Sequence, residues 1–277
     1  MKKIGIILNT KKKKALALNK VVTAFIKKKK LEVLNELEVG REKAVREADL
    51  IITLGGDGTL LNAVKYIKKT IMPVIAVNAG SFGFITEISP DEVLDIVDNA
   101  LNGKSLYSIR VLLDAALYRE NKKIGDFKAL NDVVITKGAL SRIMTLQLSI
   151  DTKPVTSYFC DGLIIATPTG STAHSLSAGG PIIHPAASCL VVSPICSHTL
   201  SNRPLVVDDS TRVSVSPVGK ETKEMALTID GQEGIMLKEK DILEIKKSSC
   251  KIKLISSGKR TYFEVLREKL KWGGSIK

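Results

Sequence analysis

The sequence predicts two domains: an α/β domain with an open, mainly parallel, Rossmann-like sheet at the N-terminus, and an all-β domain at the C-terminus. In the first hundred residues, short apolar runs alternate with segments of helical periodicity, which is the order expected of such a sheet. After residue 104, apolar and polar residues alternate with a period of two, which is typical of antiparallel strands. We therefore assign residues 1–104 to the first domain and residues 105–249 to the second.

The α/β domain alternates strands with helices. Strands that are buried on both faces are continuous apolar runs, and such runs occur at Lys3–Leu8, Leu50–Leu54 and Pro73–Val77. Helices predicted from the spacing of apolar residues lie at 18–30, 60–69 and 90–101. The third helix begins at a capping box with proline in its first turn. Ligands of sheets of this kind bind at the carboxyl ends of the strands.

The β-rich domain is predicted from β-branched residues and two-residue alternation, with turn residues such as those at 120–123 between the strands. Its predicted strands lie at Ile109–Val111, Val133–Ile135, Thr145–Ile150, Arg212–Val215 and Ile242–Ile245. A helical pattern returns at Tyr262–Leu270. We therefore expect the tail, residues 250–277, to complete the first domain.

The composition indicates a globular protein of a reducing compartment. With 44% hydrophobic and 26% charged residues, the chain can bury a core, which excludes disordered and collagen-like classes. It contains no apolar stretch of about 18 residues, the length that spans a membrane. Its four cysteines are too few for a disulfide framework and form no C-x-x-C pair. We therefore expect a cytoplasmic protein that does not enter a membrane.

The chain is strongly basic, with a net charge of +13, and eleven lysines but no acidic residue lie among its first 31 residues. Modules that bind nucleic acid usually add arginine and exposed aromatic residues, whereas this chain is only 4% aromatic. We therefore expect no nucleic-acid partner. Two interpretations of the lysines remain: a solvated face, or attraction of a phosphorylated ligand.

A segment of 41 residues, 162–202, contains no aspartate, glutamate, lysine or arginine. Glycine, proline, serine, threonine and histidine interrupt it, so it is too polar to span a membrane. An ordinary buried strand with its loops would account for the missing charge over about ten residues. For the other residues, the missing charge indicates that the backbone is buried, near a ligand or at a subunit interface.

The strongest local motif is G-G-D-G-T at 55–59, between a predicted strand and a predicted helix. Glycine amides and a helix N-terminus together form an anion site. A carboxylate would repel phosphates there, which favours a reactive role for Asp57. The alternative is a glycine-rich turn capped by Asp57 or Thr59. The motif is neither a Walker A sequence nor a G-x-G-x-x-G dinucleotide fingerprint.

Three further segments carry polar or aromatic residues in loops. The two glycines and two phenylalanines of residues 78–84 indicate either a loop with an aromatic wall for a base or a hydrophobic turn. Asn131 and Asp132 precede a strand, which indicates either hydrogen bonds to ribose hydroxyls or a turn. Residues 167–181 predict a polar wall around a large ligand, without the G-x-S-x-G elbow of a serine nucleophile. The histidines and cysteines match no zinc spacing, so no protein metal site is predicted.

Taken together, four motifs resemble the NAD kinase family. Besides G-G-D-G-T they are N-D-V-V-I at 131–135, the block D-G-L-I-I-A-T-P-T-G-S-T-A-H-S-L-S-A-G-G-P-I at 161–182, and S-P-I-C-S-H-T-L-S-N-R-P-L-V-V at 193–207. They stand in the family's order and span the chain from Ile4 to about Asp230. G-G-D-G alone also occurs in lipid kinases and phosphofructokinases, whereas T-P-T-G-S-T-A is far more specific.

The resemblance implies an enzyme that transfers the terminal phosphoryl group of ATP or polyphosphate to the 2'-hydroxyl of the adenosine ribose of NAD, giving NADP. It implies a nucleotide-binding α/β domain, an NAD-binding β domain, and NAD between them and across the interface of a homo-oligomer, a dimer or tetramer. A divalent metal, Mg²⁺, is expected on the phosphates of the donor. A lipid kinase of the diacylglycerol or sphingosine type and a non-catalytic dinucleotide-binding regulator remain as alternatives.

By the same resemblance, Asp57 is the catalytic residue at the 2'-hydroxyl, Gly58 lies against the dinucleotide, and Phe84 lines its adenine side. Asn131 and Asp132 hold the ribose and pyrophosphate region. The rest of the dinucleotide is surrounded by Asp161, Thr169, Thr172, Ala173 and His174. The expected phosphate-binding residues are Gly55, Gly56, Gly58 and Thr59.

This chain departs from the family pattern at two positions. His174 stands where the family usually has tyrosine, which weakens the stacking expected at that wall. Phe82-Gly83-Phe84 stands where the family often has Leu-Gly-Phe, which changes the shape expected of the loop.

Overall fold

The computed structural model describes residues 1–80, 82–138, 143–199, 201–219 and 225–272. By their internal contacts the residues form two units, 1–109 with 250–277 and 110–249. Within predicted segments, Ser81 of the 78–84 loop, Leu200 of the uncharged segment and residues 273–277 of the tail lie outside the described residues.

The helices and strands follow one another along the chain in this order: β1 Lys3–Leu8, α1 Lys13–Lys28, β2 Glu32–Asn35, α2 Glu36–Val39, α3 Arg41–Arg46, β3 Leu50–Gly55, α4 Asp57–Val64, β4 Ile71–Asn78, α5 Val93–Leu101, β5 Leu106–Arg119, β6 Lys122–Ala129, β7 Asp132–Thr136, β8 Met144–Ile150, β9 Lys153–Cys160, β10 Gly162–Ala166, α6 His174–Ser177, β11 Cys189–Ile195, β12 Leu205–Asp208, β13 Val213–Val218, β14 Ala226–Ile229, β15 Glu233–Met236, β16 Ile242–Ser256 and α7 Tyr262–Leu270. Short 3₁₀ turns at Pro90–Glu92 and Gly170–Thr172 precede α5 and α6.

The first unit contains the predicted parallel sheet, in the strand order β2-β1-β3-β4 followed by residues 251–255 of β16. Every residue of β3 is buried, as expected of a strand covered on both faces by helices. The parallel pairing of residues 251–255 with β4 places the C-terminal tail in this unit. The carboxyl ends of β1, β3 and β4 therefore lie side by side.

The helices of this unit differ from the predicted ones mainly at their ends. Helix α4 begins at Asp57 and ends at Val64, whereas periodicity alone suggested residues 60–69. It begins early because the backbone of Gly56 is extended and allows the chain to enter the helix directly. Helix α7 has the predicted bounds, with a capping box between Thr261 and Glu264.

Helix α7 buries Val265 and Leu266, whereas its aromatic residue Phe263 is 62% exposed. Elements β2, α2 and α3 were not predicted, because they are short and seven of their fourteen residues are acidic or basic.

The second unit is built from antiparallel strands, as predicted. One sheet has the order β12-β11-β10-β7-β14-β15, and elsewhere β13 pairs with β8 and with residues 243–245 of β16. Strands β5 and β6 form a hairpin whose turn residues, Glu120 and Asn121, have positive φ. The core is formed by alternate residues of these strands, among them Leu146, Val192 and Leu227.

Much of the uncharged segment is buried within this unit. All five residues of β10 are buried, as is the turn at 167–171 that follows it, and β11 is buried over 190–194. Burial inside one chain therefore explains part of the missing charge. Among the described residues, no helix is long and apolar enough to cross a membrane.

Candidate active site

The first group of predicted site residues lies where β3 and β4 end. Gly55 is the last residue of β3, Gly56 precedes α4, and Asp57 is the first residue of that helix. The backbone amide of Ala79, directly after β4, donates to the carbonyl of Gly55 at 2.9 Å. The two turns are thus joined at the edge of the sheet where ligands of α/β proteins bind.

The carboxylate of Asp57 is held by the segment after β4. Its Oδ2 accepts from the backbone amide of Phe84 at 2.9 Å, and its Oδ1 accepts from the amides of Ile85 and Thr86 at 3.3 and 2.9 Å. The hydroxyl of Thr86 also donates to Oδ1, at 2.8 Å. A carboxylate offers roughly four lone-pair sites. Among the described residues, three of these donors meet Oδ1 and only the amide of Phe84 meets Oδ2, so Oδ2 keeps an acceptor site for a further donor.

The glycines around Asp57 differ in how closely they are packed. A Cβ added to Gly83 would lie 2.1 Å from Asp57 Oδ1, so only glycine allows the carboxylate to reach this segment. A Cβ added to Gly55 would lie 2.1 Å from Thr59 Oγ1. A Cβ added to Gly58, by contrast, would have no described atom within 4 Å, and this residue is exposed. Gly58 is therefore open to a ligand from the solvent side.

Thr59 is predicted to bind phosphate, and in the structure its hydroxyl is engaged within the turn. The side chain is buried, and its Oγ1 accepts from the backbone amide of Gly56 at 3.4 Å. This contact caps the first turn of α4. It leaves the amides of the turn, rather than the buried hydroxyl, as the groups that can meet a phosphate.

The aromatic residues of the 82–84 loop lie beside cations from the C-terminal tail. The guanidinium carbon of Arg260 lies 4.3 Å from the centroid of the Phe82 ring, and Lys269 Nζ lies 5.6 and 6.0 Å from the Phe82 and Phe84 centroids. Contacts of this kind stabilise by about 0.5–1 kcal/mol each at partly exposed sites. The tail thus supports the same loop whose amides hold Asp57.

The second group, within the second unit, is organised by Asp230. Its carboxylate accepts from three successive backbone amides, those of Leu130, Asn131 and Asp132, at 2.9, 2.7 and 3.1 Å. The amide of Thr167 in turn donates to the carbonyl of Asn131 at 2.9 Å. The start of β7 and the turn after β10 are therefore fixed against each other.

Asp132 is buried beside Asp230. Burial, which disfavours the charged form, and the nearby charge of Asp230 together raise the pKa of Asp132 to about 7, although a hydrogen bond from the backbone amide of His174 opposes the change. Burial likewise raises the pKa of Asp230 to about 6, opposed by the amides of residues 130–132. Asp132 and Asp230 thus lie so close together in a buried site that the two carboxyl groups do not readily ionise at the same time.

Two polar atoms of this group lack partners within the protein. Asn131 Oδ1 and Thr169 Oγ1 are buried, and neither atom forms a hydrogen bond with any other described residue. Buried polar atoms are nearly always hydrogen-bonded in folded proteins. Their presence indicates that a ligand or water completes the group.

The predicted residues that follow Thr169 remain in the same turn. The Thr172 hydroxyl donates to the carbonyl of Thr169 at 3.2 Å, and Ala173 joins this turn to α6. His174 begins α6 with an exposed side chain, while its amide faces Asp132. The structure therefore brings together Asn131, Asp132, Thr169, Thr172, Ala173 and His174.

Asp161 lies apart from these residues. It precedes β10, in which Gly162 pairs with Thr136 at one end and Ala166 pairs with Asp132 at the other. The length of the strand places Asp161 roughly 20 Å from the turn at Thr167. Its carboxylate instead forms an ion pair with Lys137 at 3.0 Å.

Asp230 was not selected from the sequence. An Asp-Gly pair between two strands marks a turn, and Asp230 and Gly231 have φ of 51° and 63° between β14 and β15. The pair predicts the turn, but nothing local to it predicts the three amides that its carboxylate accepts. Among the described residues, no group of three or more histidine, cysteine, aspartate or glutamate side chains is arranged to hold a metal.

Comparison with known proteins gives matches along nearly the whole chain. The model of the ATP-NAD kinase N-terminal domain matches residues 35–105, and that of the ATP-NAD kinase C-terminal domain matches residues 130–257. The NAD kinase of Syntrophotalea carbinolica is 42% identical over 284 residues, and that of Geobacter sulfurreducens is 40% identical over 283 residues. Each alignment covers 99% of both proteins.

Solved structures share the fold. Yeast NADH kinase complexed with NADH matches with a TM-score of 0.90 at 23% identity, covering 100% of this chain and 89% of that one. An NAD kinase from Archaeoglobus fulgidus in complex with ATP matches with a TM-score of 0.77 at 22% identity, covering 97% and 98%.

The buried pair makes stability depend on pH. Because the folded-state pKa of Asp132 lies above its ordinary value of 3.8, folding is favoured while the group is protonated, and that contribution is lost as the pH rises toward about 7. As the pH rises through this interval, the free energy of unfolding should fall more steeply in the wild type than in Asp132→Asn. The difference in slope should be up to about 1.4 kcal/mol per pH unit. Urea unfolding at several pH values measures the difference.

The matched control is Asp126→Asn, which changes an exposed carboxylate of the same unit. It should leave the pH dependence close to that of the wild type. Parallel curves for the wild type and Asp132→Asn would contradict a raised pKa at Asp132.

Proposed function

Since this chain belongs to the NAD kinase family, and is an enzyme that phosphorylates NAD to NADP, we propose that Asp57 acts at the reacting hydroxyl and that the group around Asp132 holds the dinucleotide. The position of Asp57 carries this proposal: its carboxylate lies in a glycine turn at the carboxyl edge of a parallel sheet, beside the open surface of Gly58. The phosphoryl acceptor is the 2'-hydroxyl of the adenosine ribose, and the donor is ATP or polyphosphate.

Asp57 supplies the base that the reaction needs. A ribose hydroxyl is a weak nucleophile, and its proton must leave as its oxygen bonds to phosphorus and the donor's bridging oxygen departs. The Asp57 carboxylate takes that proton through Oδ2, which among the described residues accepts only the amide of Phe84. General-base help of this kind contributes about 10²- to 10⁴-fold in rate.

The residues of the second unit bind rather than react. Asn131 Oδ1 and Thr169 Oγ1, which are buried without protein partners, supply unused hydrogen-bonding capacity for the dinucleotide. Asp132 hydrogen-bonds a ribose hydroxyl, as acceptor when ionised and also as donor when protonated. Thr172, Ala173 and His174 form the adjoining wall. Gly58 and Phe84 lie on the adenine side.

A divalent metal, Mg²⁺, accompanies the donor. The described residues offer no cage of three or more acidic, histidine or cysteine side chains, and Asp57 already accepts hydrogen bonds from the 84–86 segment. This arrangement fits an ion that is held chiefly by the donor's phosphates. When bound, such an ion neutralises charge on the phosphates that are transferred and released.

The distance of Asp161 from the other NAD-binding residues supports a homo-oligomer, either a dimer or a tetramer. Within one unit, about 20 Å of strand separates it from the turn at Thr167. The simplest way to bring Asp161 into an NAD site is for a second copy of the chain to supply it. Part of the uncharged segment 162–202 remains exposed, and it offers a surface for this contact.

We assign the enzyme to the cytoplasm. Four cysteines in 277 residues, with no C-x-x-C pair, are too few for a disulfide framework, which is usual in proteins of a reducing compartment.

The function is tested by following labelled phosphate. Purified protein is incubated with Mg²⁺ and γ-labelled ATP in the presence of NAD, of diacylglycerol vesicles, or of neither, and label is expected in NADP alone. Asp57→Asn should lower kcat by about 10²- to 10⁴-fold while the Kd for NAD changes by no more than about threefold, because the amide cannot take a proton. Urea unfolding of the variant shows that it is folded.

Label in the lipid would identify a lipid kinase, and NAD binding without label transfer would identify a regulator. Full activity of Asp57→Asn at ordinary Mg²⁺ would contradict the base role. Rescue of the variant by higher Mg²⁺ or Mn²⁺ would instead assign Asp57 to the metal.

The shared site is tested by mixing two variants. Asp132→Ala should raise the KM for NAD by about tenfold or more, the scale of a lost charged hydrogen bond. Asp161→Ala should weaken activity similarly. If one copy supplies Asp132 and a neighbouring copy supplies Asp161, equal mixing with subunit exchange restores about a quarter of the intact sites. Mixtures that regain no activity, or a purely monomeric enzyme, would contradict the shared site.

A further inference from the structure

We propose that Lys12 binds the phosphates of the phosphoryl donor. The proposal rests on the proposed function of the loop around Asp57, and it concerns a residue that no motif of the sequence selects. Lys12 lies in the lysine-rich segment after β1, whose carboxyl end adjoins those of β3 and β4.

The side chain of Lys12 extends over both glycine turns of the first unit. Its Nζ donates to the carbonyl of Gly55 at 3.3 Å, so the ammonium lies at the start of the turn that carries Asp57. A Cβ added to Gly80 would lie 2.5 Å from this Nζ, and one added to Gly56 would lie 3.7 Å away. The ammonium therefore lies between the turn after β3 and the turn after β4.

No acidic side chain neutralises this ammonium within the described residues. Other lysines of the same unit form ion pairs, as Lys29 does with Asp98 and Lys69 does with Asp49. Lys12 is half-buried, and among the described residues its Nζ donates to the Gly55 carbonyl alone, although an ammonium has three donors. A partly desolvated cation with unused donors favours an anionic ligand.

A purely structural role does not explain a lysine here. Lys12 is the N-cap of α1, where serine, threonine, aspartate or asparagine would accept an amide hydrogen bond, and it provides no such cap. The first turn of α1 contains no acidic residue, and its neighbours Lys11 and Lys13 are exposed. The helix dipole disfavours cations at this end. The position thus opposes local stability, as functional positions often do.

The ligand chemistry follows from the surroundings. Lysine binds phosphate as a compact point charge, and glycine turns let phosphate oxygens approach backbone amides. The terminal phosphates of ATP and of polyphosphate share this chemistry. Asp57 is proposed to act on the hydroxyl of NAD, and Lys12 is proposed to bind the phosphates of the donor. Replacement of Lys12 should therefore change the KM for the donor and not the KM for NAD.

The test compares Lys12→Gln with Lys13→Gln, which removes the same charge from an exposed neighbour. With ATP as donor, Lys12→Gln should raise the KM for ATP by about tenfold or more, whereas the KM for NAD stays within about twofold. Lys13→Gln should leave both constants near those of the wild type. Lys12→Arg, which keeps the charge, should recover much of the affinity for ATP. A second arm with tetraphosphate in place of ATP shows whether the effect extends to polyphosphate.

Binding of inorganic tripolyphosphate, measured by calorimetry without NAD, tests Lys12 independently of catalysis. We expect Lys12→Gln to weaken it by about tenfold relative to the wild type and to Lys13→Gln. Equal tripolyphosphate affinity in Lys12→Gln and the wild type, or an equal loss in Lys13→Gln, would overturn the proposal. A wild type that binds tripolyphosphate through Lys12 but does not phosphorylate NAD would refute the proposed function and leave the phosphate site standing.

Discussion

The hydrogen bonds between the Asp57 carboxylate and the segment 84–86 are the constraint on which the first unit's site depends. They join the turn after β3 to the loop after β4, and they require glycine at position 83, because a Cβ there would meet the carboxylate. They also hold the carboxylate in a fixed direction before any ligand arrives, which is the preorganisation that the proposed role of Asp57 requires. Three of the four donors meet Oδ1, which leaves Oδ2 as the oxygen with an acceptor site for a further donor.

In the second unit, the candidate site contains buried polar groups that are not fully compensated by the protein. It buries Asp132 beside Asp230 and leaves the polar atoms of Asn131 and Thr169 without protein partners. Buried carboxyl groups and unsatisfied polar atoms lower the stability of a fold unless a ligand compensates them. Asp230 limits the cost by accepting three backbone amides. The unit thus gives up some stability for a group of polar atoms that a ligand or water can complete.

The sequence allowed the fold class and the family to be predicted correctly, because both depend on strong local signals. Strand β1 and helix α7 have the predicted bounds, since a continuous apolar run marks the strand and a helical pattern of apolar residues marks the helix. The parallel pairing of β16 with β4 was not predictable, because residues nearly two hundred positions apart form it. The same reason hides Asp230 and Lys12, whose roles come from contacts with distant backbone. The contact of Thr59 with phosphate stays a prediction, and the structure adds that its hydroxyl accepts the amide of Gly56 within the turn. Local patterns therefore identified the motifs, while the partners of each side chain required the structure.

The most direct measurement is a crystal structure of the enzyme with NAD bound. We expect the 2'-hydroxyl of the adenosine ribose within hydrogen-bonding distance of the Asp57 carboxylate, about 2.6–3.2 Å. NAD bound with a different hydroxyl at Asp57, or with no ribose hydroxyl near it, would contradict the role assigned to this residue.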